Sequence, residues 1–178
     1  MNAHQTNNDP TFRIYPVEQG VAIIRAIAEH RWPIHLTEAF SLRDQFGWKP
    51  PPDDGTIFTT PVSSGDEDGF IGIDVENRNL VAKVRFGLSS RLPQDAPPEI
   101  QATIQNTYAS YISAFNSLYG AGDSESDQDV AITQWYLPSR ASVSIAATGR
   151  FLSTTIESPA MTDLTEAEQR YFDEGGEM

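Results

Sequence analysis

The chain has 178 residues, of which 25 are Asp or Glu and 12 are Lys or Arg, so its net charge is -13 and its pI is about 4.4. This negative field disfavours nucleic acid, which is bound through Lys and Arg contacts to phosphates, and it equally disfavours an anionic membrane surface. The chain contains no Cys, which excludes disulfides and thiolate metal sites.

The first half of the chain predicts two helices followed by three strands. Apolar residues recur at helical spacing over residues 17–30, and a second helix is expected from an N-cap at Thr37 to a stop at Gly47. Three prolines at residues 50–52 then exclude a helix. Alternating patterns predict strands over residues 56–62, 70–76 and 80–88.

The second half predicts a long helix, three further strands and a short final helix. Asp95 is expected to cap a helix that ends near Gly120 and covers the sheet with its apolar stripe. Thr165 and Glu168 form a capping-box pattern for a last helix that runs to Phe172. The strands between these helices are expected over residues 130–137, 141–148 and 151–158.

The resulting order, ααβββαβββα, predicts an α+β fold with a mainly antiparallel sheet of about six strands backed by helices. We expect a single domain over residues 1–178, with a flexible N-terminus over about residues 1–12 and a frayed, acidic C-terminus. The chain shows neither the pattern of a signal peptide nor an apolar run of membrane-spanning length, so a cytoplasmic location is expected.

Two acidic stretches rich in Gly and Ser lie between predicted strands or helices, where binding loops are typically found. We therefore expect the protein to bind a partner that is cationic at the contact. The first stretch contributes the candidate partner-binding residues Asp66, Glu67, Asp68 and Phe70, and the second contributes Asp123, Glu125, Asp127 and Asp129. Trp135 and Tyr136 follow the second stretch, and strand alternation requires that one of them faces the core.

The chemistry of the remaining residues does not indicate catalysis, a cofactor or a metal. The alternating acidic residues from Asp123 to Asp129 suggest a calcium loop, but Gln128 and Gln134 occupy the positions where such a loop needs its glycine and its bidentate glutamate. His30 near a helix C-terminus is accounted for by its favourable position as a cation. No phosphate-binding glycine loop is present.

The most distinctive segments run from Trp32 to Phe40 and through Phe46-Gly47-Trp48. They resemble actinobacterial toxin-immunity proteins, small proteins without cysteine that include the inhibitor of the mycobacterial necrotizing toxin, an NAD glycohydrolase. The resemblance is clearest over residues 12–88. It implies a cytoplasmic inhibitor, a monomer in a 1:1 complex, that covers the cationic substrate groove of the toxin and excludes NAD. Trp32 and Trp48 also have a structural interpretation, as lids that close the helical pair onto the sheet.

Two other functions are compatible with the sequence. An acidic secretion chaperone or adaptor would also be a small α+β protein without a catalytic site, and it would present an apolar groove to an exported client. An enzyme would need a carboxylate pair in a cleft, for which Asp74 and Glu76 are candidates because they would share one face of a strand. A polar outer face of the sheet explains that pair equally well.

Overall fold

A computed structural model describes residues 12–175 and contains four helices and seven strands in that range. The predicted α+β class is confirmed, with one strand more than the six expected. The helices are α1 (Val17–Ala28), α2 (Leu36–Gln45), α3 (Pro98–Tyr119) and α4 (Pro159–Asp173). The strands are β1 (Ile57–Phe58), β2 (Gly69–Ile73), β3 (Val81–Gly87), β4 (Asp123–Asp127), β5 (Val130–Tyr136), β6 (Ser142–Ala147) and β7 (Leu152–Glu157).

The seven strands form one antiparallel sheet in the order β1-β2-β3-β7-β6-β5-β4. The sheet consists of two meanders, β1 to β3 and β4 to β7, each built from strands that are consecutive in the chain. The two meanders meet where β3 pairs with β7, from Lys83 opposite Glu157 to Gly87 opposite Ser153. The chain enters the second meander through α3, which lies between the two in sequence.

Helices α1, α2 and α3 cover one face of this sheet and enclose the core. Apolar residues one helical turn apart on α1, including Ile24 and Ile27, are buried, as are Tyr111 and Phe115 on α3. α1 and α3 approach closely because residue 20 is a glycine. A Cβ at Gly20 would overlap the hydroxyl of Tyr111, which donates a hydrogen bond to the Tyr15 carbonyl at 3.0 Å.

Trp48 closes the helical pair onto the sheet, as its structural interpretation predicts. Gly47 adopts φ 77 after α2 and turns the chain, so that Trp48 lies 3% exposed against the core. Its ring stacks on Phe58 at 4.6 Å, and its Nε1 donates to the Tyr15 hydroxyl at 3.1 Å. Trp32 is half-buried and donates from Nε1 to a carbonyl of α1.

Several predicted element boundaries were wrong, each for a local reason. The strand expected over residues 70–76 ends at Ile73, because Asp74 Oδ1 accepts the backbone N–H groups of Glu76 and Asn77 and turns the chain. Asp74 and Glu76 therefore do not form a pair on a strand. The strand expected over residues 56–62 is limited to Ile57–Phe58.

The N-termini of three helices also differ from the prediction. α3 begins at Pro98, and its N-cap residue is Pro97, which makes no side-chain capping hydrogen bond, so Asp95 does not cap it. α2 begins at Leu36, after His35, whose backbone N–H donates to Glu38 Oε1 at 2.9 Å, so Thr37 lies inside the helix. α4 begins at Pro159, because Ser158 caps it by accepting from the Met161 N–H, seven residues before the predicted cap at Thr165.

The predicted N-terminal flexible segment lies outside the described residues, except for Phe12, which packs against the core. The last residues of the predicted frayed C-terminus, 176–178, also lie outside them. Of the helices between residues 12 and 175, none combines the length and the apolar character that crossing a bilayer requires.

Candidate protein-binding face

The sheet face opposite to α1, α2 and α3, here called the open face, carries mostly half-buried or exposed side chains. The register shows which residues share it, because directly paired residues point to the same side of a sheet. One row across six strands on this face contains Phe70, Arg85, Thr155, Ser144, Gln134 and Asp123. Outward-facing side chains of this kind are available to a partner.

The second acidic stretch lies at one edge of this face. The sequence predicted a loop over residues 123–129, but Asp123–Asp127 form strand β4, and only Gln128 and Asp129 make the turn. Gln128 takes φ 36 there, which closes the hairpin to β5. Strand alternation places Asp123, Glu125 and Asp127 together on the open face, and all three are exposed. Asp129 is exposed at the turn.

The strand beside β4 places apolar side chains next to these carboxylates. On β5, Val130 is 44% exposed, Ile132 36% and Tyr136 46%, all on the open face. The neighbouring Trp135 points the other way and is buried, which settles the alternation predicted for this pair. We call the six residues Asp123, Glu125, Asp127, Val130, Ile132 and Tyr136 the β4–β5 strip. Apolar anchors bordered by charged residues are typical of protein interfaces.

The electrostatic surroundings of Tyr136 show that the strip is negative. Partial burial raises the pKa of its phenol above the ordinary value, and the nearby carboxylates of Glu157, Glu166 and Asp123 raise it further, while Arg140 opposes them. Arg140 is itself engaged by α4, with Nη2 2.6 Å from both Asp163 Oδ1 and Glu166 Oε1. A cationic group placed over Tyr136 would therefore be stabilised.

The first acidic stretch forms part of the loop between β1 and β2. Asp66 and Glu67 are exposed there. Asp68 is half-buried and accepts a hydrogen bond from Ser63 Oγ at 2.6 Å, so one of its oxygens holds the loop in place. Phe70 lies on β2 in a basic neighbourhood, with Lys83 Nζ 5.9 Å from its ring centroid and Arg85 as its cross-strand neighbour.

The structure does not bring the two acidic stretches together. β2 and β4 are five strand spacings apart, which corresponds to about 24 Å across the sheet. They run in opposite directions, so that the loop before β2 and the turn after β4 lie at the same end of the sheet. A partner would have to span the sheet to contact both.

Sequence reasoning did not identify Val130 and Ile132, two of the three apolar residues of the strip. The alternation of β5 was recognisable, but both of its alternating sets contain apolar side chains, with Val130, Ile132 and Tyr136 in one and Ala131 and Trp135 in the other, so the pattern alone does not choose a face. Thr133 decides the choice, because its Oγ1 lies 2.8 Å from the hydroxyls of both Tyr108 on α3 and Ser124 on β4. These contacts place Thr133 on the helix-covered face and Ile132 on the open face.

Within residues 12–175, no three His, Asp or Glu side chains are close enough together to hold a metal ion. A family model described as a family of unknown function (DUF6301) matches residues 18–158. That match covers the sheet and α1 to α3 and ends at the residue before α4 begins. No curated protein and no solved structure matches the chain.

Proposed function

We propose that this chain, which belongs to the DUF6301 family of unknown function, is an immunity protein that binds a secreted NAD glycohydrolase toxin and occludes its NAD site. The observation that carries the proposal is the β4–β5 strip, where three exposed carboxylates lie beside three exposed apolar side chains. The toxin class comes from the resemblance of the Trp32 to Trp48 region to actinobacterial immunity proteins.

The chemistry of the strip fits a site that normally holds a dinucleotide. A pocket that binds a pyrophosphate presents cationic side chains or backbone N–H groups, and carboxylates can satisfy those donors in place of the phosphates. Ile132 and Tyr136 would supply the apolar contacts that usually contribute most of the binding energy of an interface. The net charge of -13 would guide the protein toward a cationic groove from a distance.

Inhibition of this kind requires neither catalytic residues nor a cofactor in the inhibitor. In this proposal the protein acts in the cytoplasm of the cell that makes the toxin, as a monomer that forms a 1:1 complex. Inhibition by occlusion requires only a surface that binds the toxin, because the bound protein then fills the entrance to the NAD site.

A second candidate function, a secretion chaperone or adaptor, is favoured by α4. Its side chains of Leu164 and Phe172 are 49% and 50% exposed, and only Thr162 of the helix is buried. An exposed apolar helix surface is the kind of feature that receives an apolar segment of a client protein. Such a client would be bound unfolded, whereas an immunity protein binds a folded toxin domain.

Two matched variants locate the contact. The strip variant carries Asp123→Asn, Glu125→Gln and Asp127→Asn, and the loop variant carries Asp66→Asn, Glu67→Gln and Asp68→Asn. Each removes three negative charges, so the two change the long-range field of the protein to the same extent. The replaced side chains are surface-exposed or retain an accepting oxygen, and we expect changes in the free energy of unfolding below about 0.5 kcal/mol.

The test measures NAD hydrolysis by a purified toxin domain as each protein is added. We expect the parent to abolish hydrolysis at equimolar ratio and the strip variant to need a larger excess than the loop variant. Full glycohydrolase activity in the equimolar mixture with the parent would refute the proposal. Greater loss in the loop variant would move the contact to Asp66, Glu67 and Asp68, the first site expected from the sequence.

A further inference from the structure

Strand β4 is the last strand of the sheet and is paired on one side only. It pairs with β5 from Asp123 to Asp127, and no other strand within residues 12–175 borders it. All five of its residues are exposed. The unpaired backbone of an edge strand is a template to which another extended chain can add.

The outward backbone groups of β4 belong to Ser124 and Ser126. Asp127 and Val130 flank the two-residue turn and lie opposite each other, so they form the hydrogen-bonded pair that closes the hairpin. Hydrogen-bonded and non-hydrogen-bonded pairs alternate along an antiparallel ladder. The acidic residues of β4 therefore direct their backbone groups toward β5, while Ser124 and Ser126 direct theirs away from the sheet.

A groove of about 410 Å³ separates β4 from α3 on the covered face of the sheet. Tyr108, Ala109 and Ile112 line it on α3, Ser124, Glu125 and Ser126 line it on β4, and Ala131 and Thr133 line it on β5. Successive residues of a strand point to opposite faces, so a chain paired with β4 would direct every second side chain toward this groove. Ala109 and Ile112 give the groove an apolar wall, which favours apolar side chains there.

The other side chains of an added strand would lie on the open face beside Asp123, Glu125 and Asp127. Directly opposed side chains of paired strands have Cβ atoms about 5 Å apart, within reach of a Lys or Arg. Like charges in these positions are destabilising. If two copies of β4 paired with each other, their carboxylates would lie next to one another and repel. The acidic side chains of β4 therefore favour a basic strand and disfavour pairing between two copies of the chain.

We infer that β4 binds an extended segment of a partner protein in which basic residues alternate with apolar ones, so that the segment becomes an eighth strand of the sheet. Backbone hydrogen bonds to Ser124 and Ser126 hold the segment, its basic side chains pair with the carboxylates, and its apolar side chains face the groove at α3. That this partner is the toxin rests on the proposed function. The mode of binding rests on the geometry of β4 and α3.

A synthetic peptide tests the alternation. The probe is a fluorescently labelled Thr-Lys-Val-Lys-Val-Lys-Thr peptide capped at both ends, and its control has the same composition in the order Lys-Lys-Lys-Val-Val-Thr-Thr. We expect fluorescence anisotropy to show binding of the alternating peptide that is at least about tenfold tighter, the equivalent of one or two backbone hydrogen bonds. Equal affinity of the two peptides, or no binding of either, would overturn the inference.

A matched pair of substitutions tests the edge itself. Ser126→Pro removes the outward N–H and places a ring in the path of an added strand, whereas Ser126→Ala leaves the backbone unchanged. The N–H that is lost points away from β5, and proline is tolerated at such edge positions, so the fold is retained and melting of both variants checks this. We expect Ser126→Pro to weaken binding of the alternating peptide about tenfold or more, and Ser126→Ala to bind like the parent.

A second variant leaves the β4 backbone untouched. Ala109→Trp starts from an exposed residue of α3 and fills the groove. We expect it, too, to weaken binding of the alternating peptide. If Ala109→Trp and Ser126→Pro both bind the peptide as the parent does, the inference is wrong.

The inference and the proposed function fail in different ways. If the parent does not inhibit the toxin but Ser126→Pro loses the peptide, the proposed function fails and the inference stands. If the parent inhibits the toxin and Ser126→Pro inhibits it equally well, the inference fails and the proposed function stands. Sedimentation of the chain alone tests whether a second copy of the chain occupies the β4 edge instead. If the parent is a dimer and Ser126→Pro is a monomer, the edge binds a second copy and the inference is overturned.

Discussion

Replacing Trp48 by alanine should unfold the protein at a much lower temperature without affecting recognition directly. The side chain is 3% exposed, so nearly all of its transfer free energy is lost on truncation. Three aromatic rings surround it, with centroids at 4.6 Å for Phe58, 4.7 Å for Phe86 and 4.8 Å for Phe46. Because these rings are held by the sheet and by α2, the cavity left by the indole can collapse only in part.

The expected cost of Trp48→Ala has two parts. Truncating a buried Trp costs about 3–5 kcal/mol, and the Tyr15 hydroxyl loses the donor that now lies at 3.1 Å, which adds about 1 kcal/mol. In a domain of this size, a loss of about 4–6 kcal/mol lowers the melting temperature by about 8–24 °C. Trp48→Phe is the matched control, since it keeps an aromatic ring in the stack while removing the Nε1 donor, and it should cost about 1–2 kcal/mol.

Thermal unfolding followed by far-UV circular dichroism measures both variants, and urea unfolding gives the free energies. We expect the order of stability parent, Trp48→Phe, Trp48→Ala, and normal partner binding by each variant below its own melting temperature. A Trp48→Ala protein that melts like the parent but no longer binds its partner would refute this reasoning. Trp48 would then be a contact residue rather than a core residue.

Three further outcomes follow from the structure. Gly20→Ala should cost about 1–3 kcal/mol in urea unfolding, because the new Cβ overlaps the Tyr111 hydroxyl, whereas Gly149→Ala, with no atom within 4 Å, should be close to neutral. Burial raises the pKa of the Tyr111 phenol above its ordinary value of 10.0. The contribution of this group to stability is therefore complete below pH 10 and is lost as the pH rises through the folded-state pKa. Tyr111→Phe should accordingly reduce the slope of the unfolding free energy against pH above pH 10. The association rate constant with the toxin, measured by stopped flow, should fall as added salt shortens the electrostatic screening length from about 10 Å at 0.1 M, while the dissociation rate constant should change less. An association rate constant that does not depend on salt would contradict the role given to the acidic residues.

The sequence was sufficient for the elements that carry apolar periodicity. α1 and α3 show it through residues such as Ile24, Ile27 and Phe115, and the core of the structure is built from these side chains. β4 has no such signal, since Asp-Ser-Glu-Ser-Asp contains no apolar residue. It is a strand because the turn at Gln128 folds it back onto β5, and pairing with a neighbour outweighs its low strand propensity.

The candidate site was predictable in its charge but not in its layout. The acidic residues were evident, whereas their arrangement in a row beside Ile132 depends on the strand that β4 becomes. The start of α4 was readable in principle from Ser158-Pro159, a favoured cap followed by a favoured first residue, but the alternation of β7 extends to the same Ser158 and points to a strand. Competing local signals of this kind are resolved only by tertiary contacts.

The junction of the two meanders at β3 and β7 bears on how the chain folds. Each meander can form from strands that are neighbours in the chain. Pairing of the two meanders instead brings Val84 opposite Ile156, about 70 residues further along the chain, and closing such a long loop slows folding. Until it closes, β3 and β7 are both unpaired edges on which a wrong register or a second molecule could assemble. Lys83 lies directly opposite Glu157 in the native register, so opposite charges favour the correct alignment of the last strands to meet.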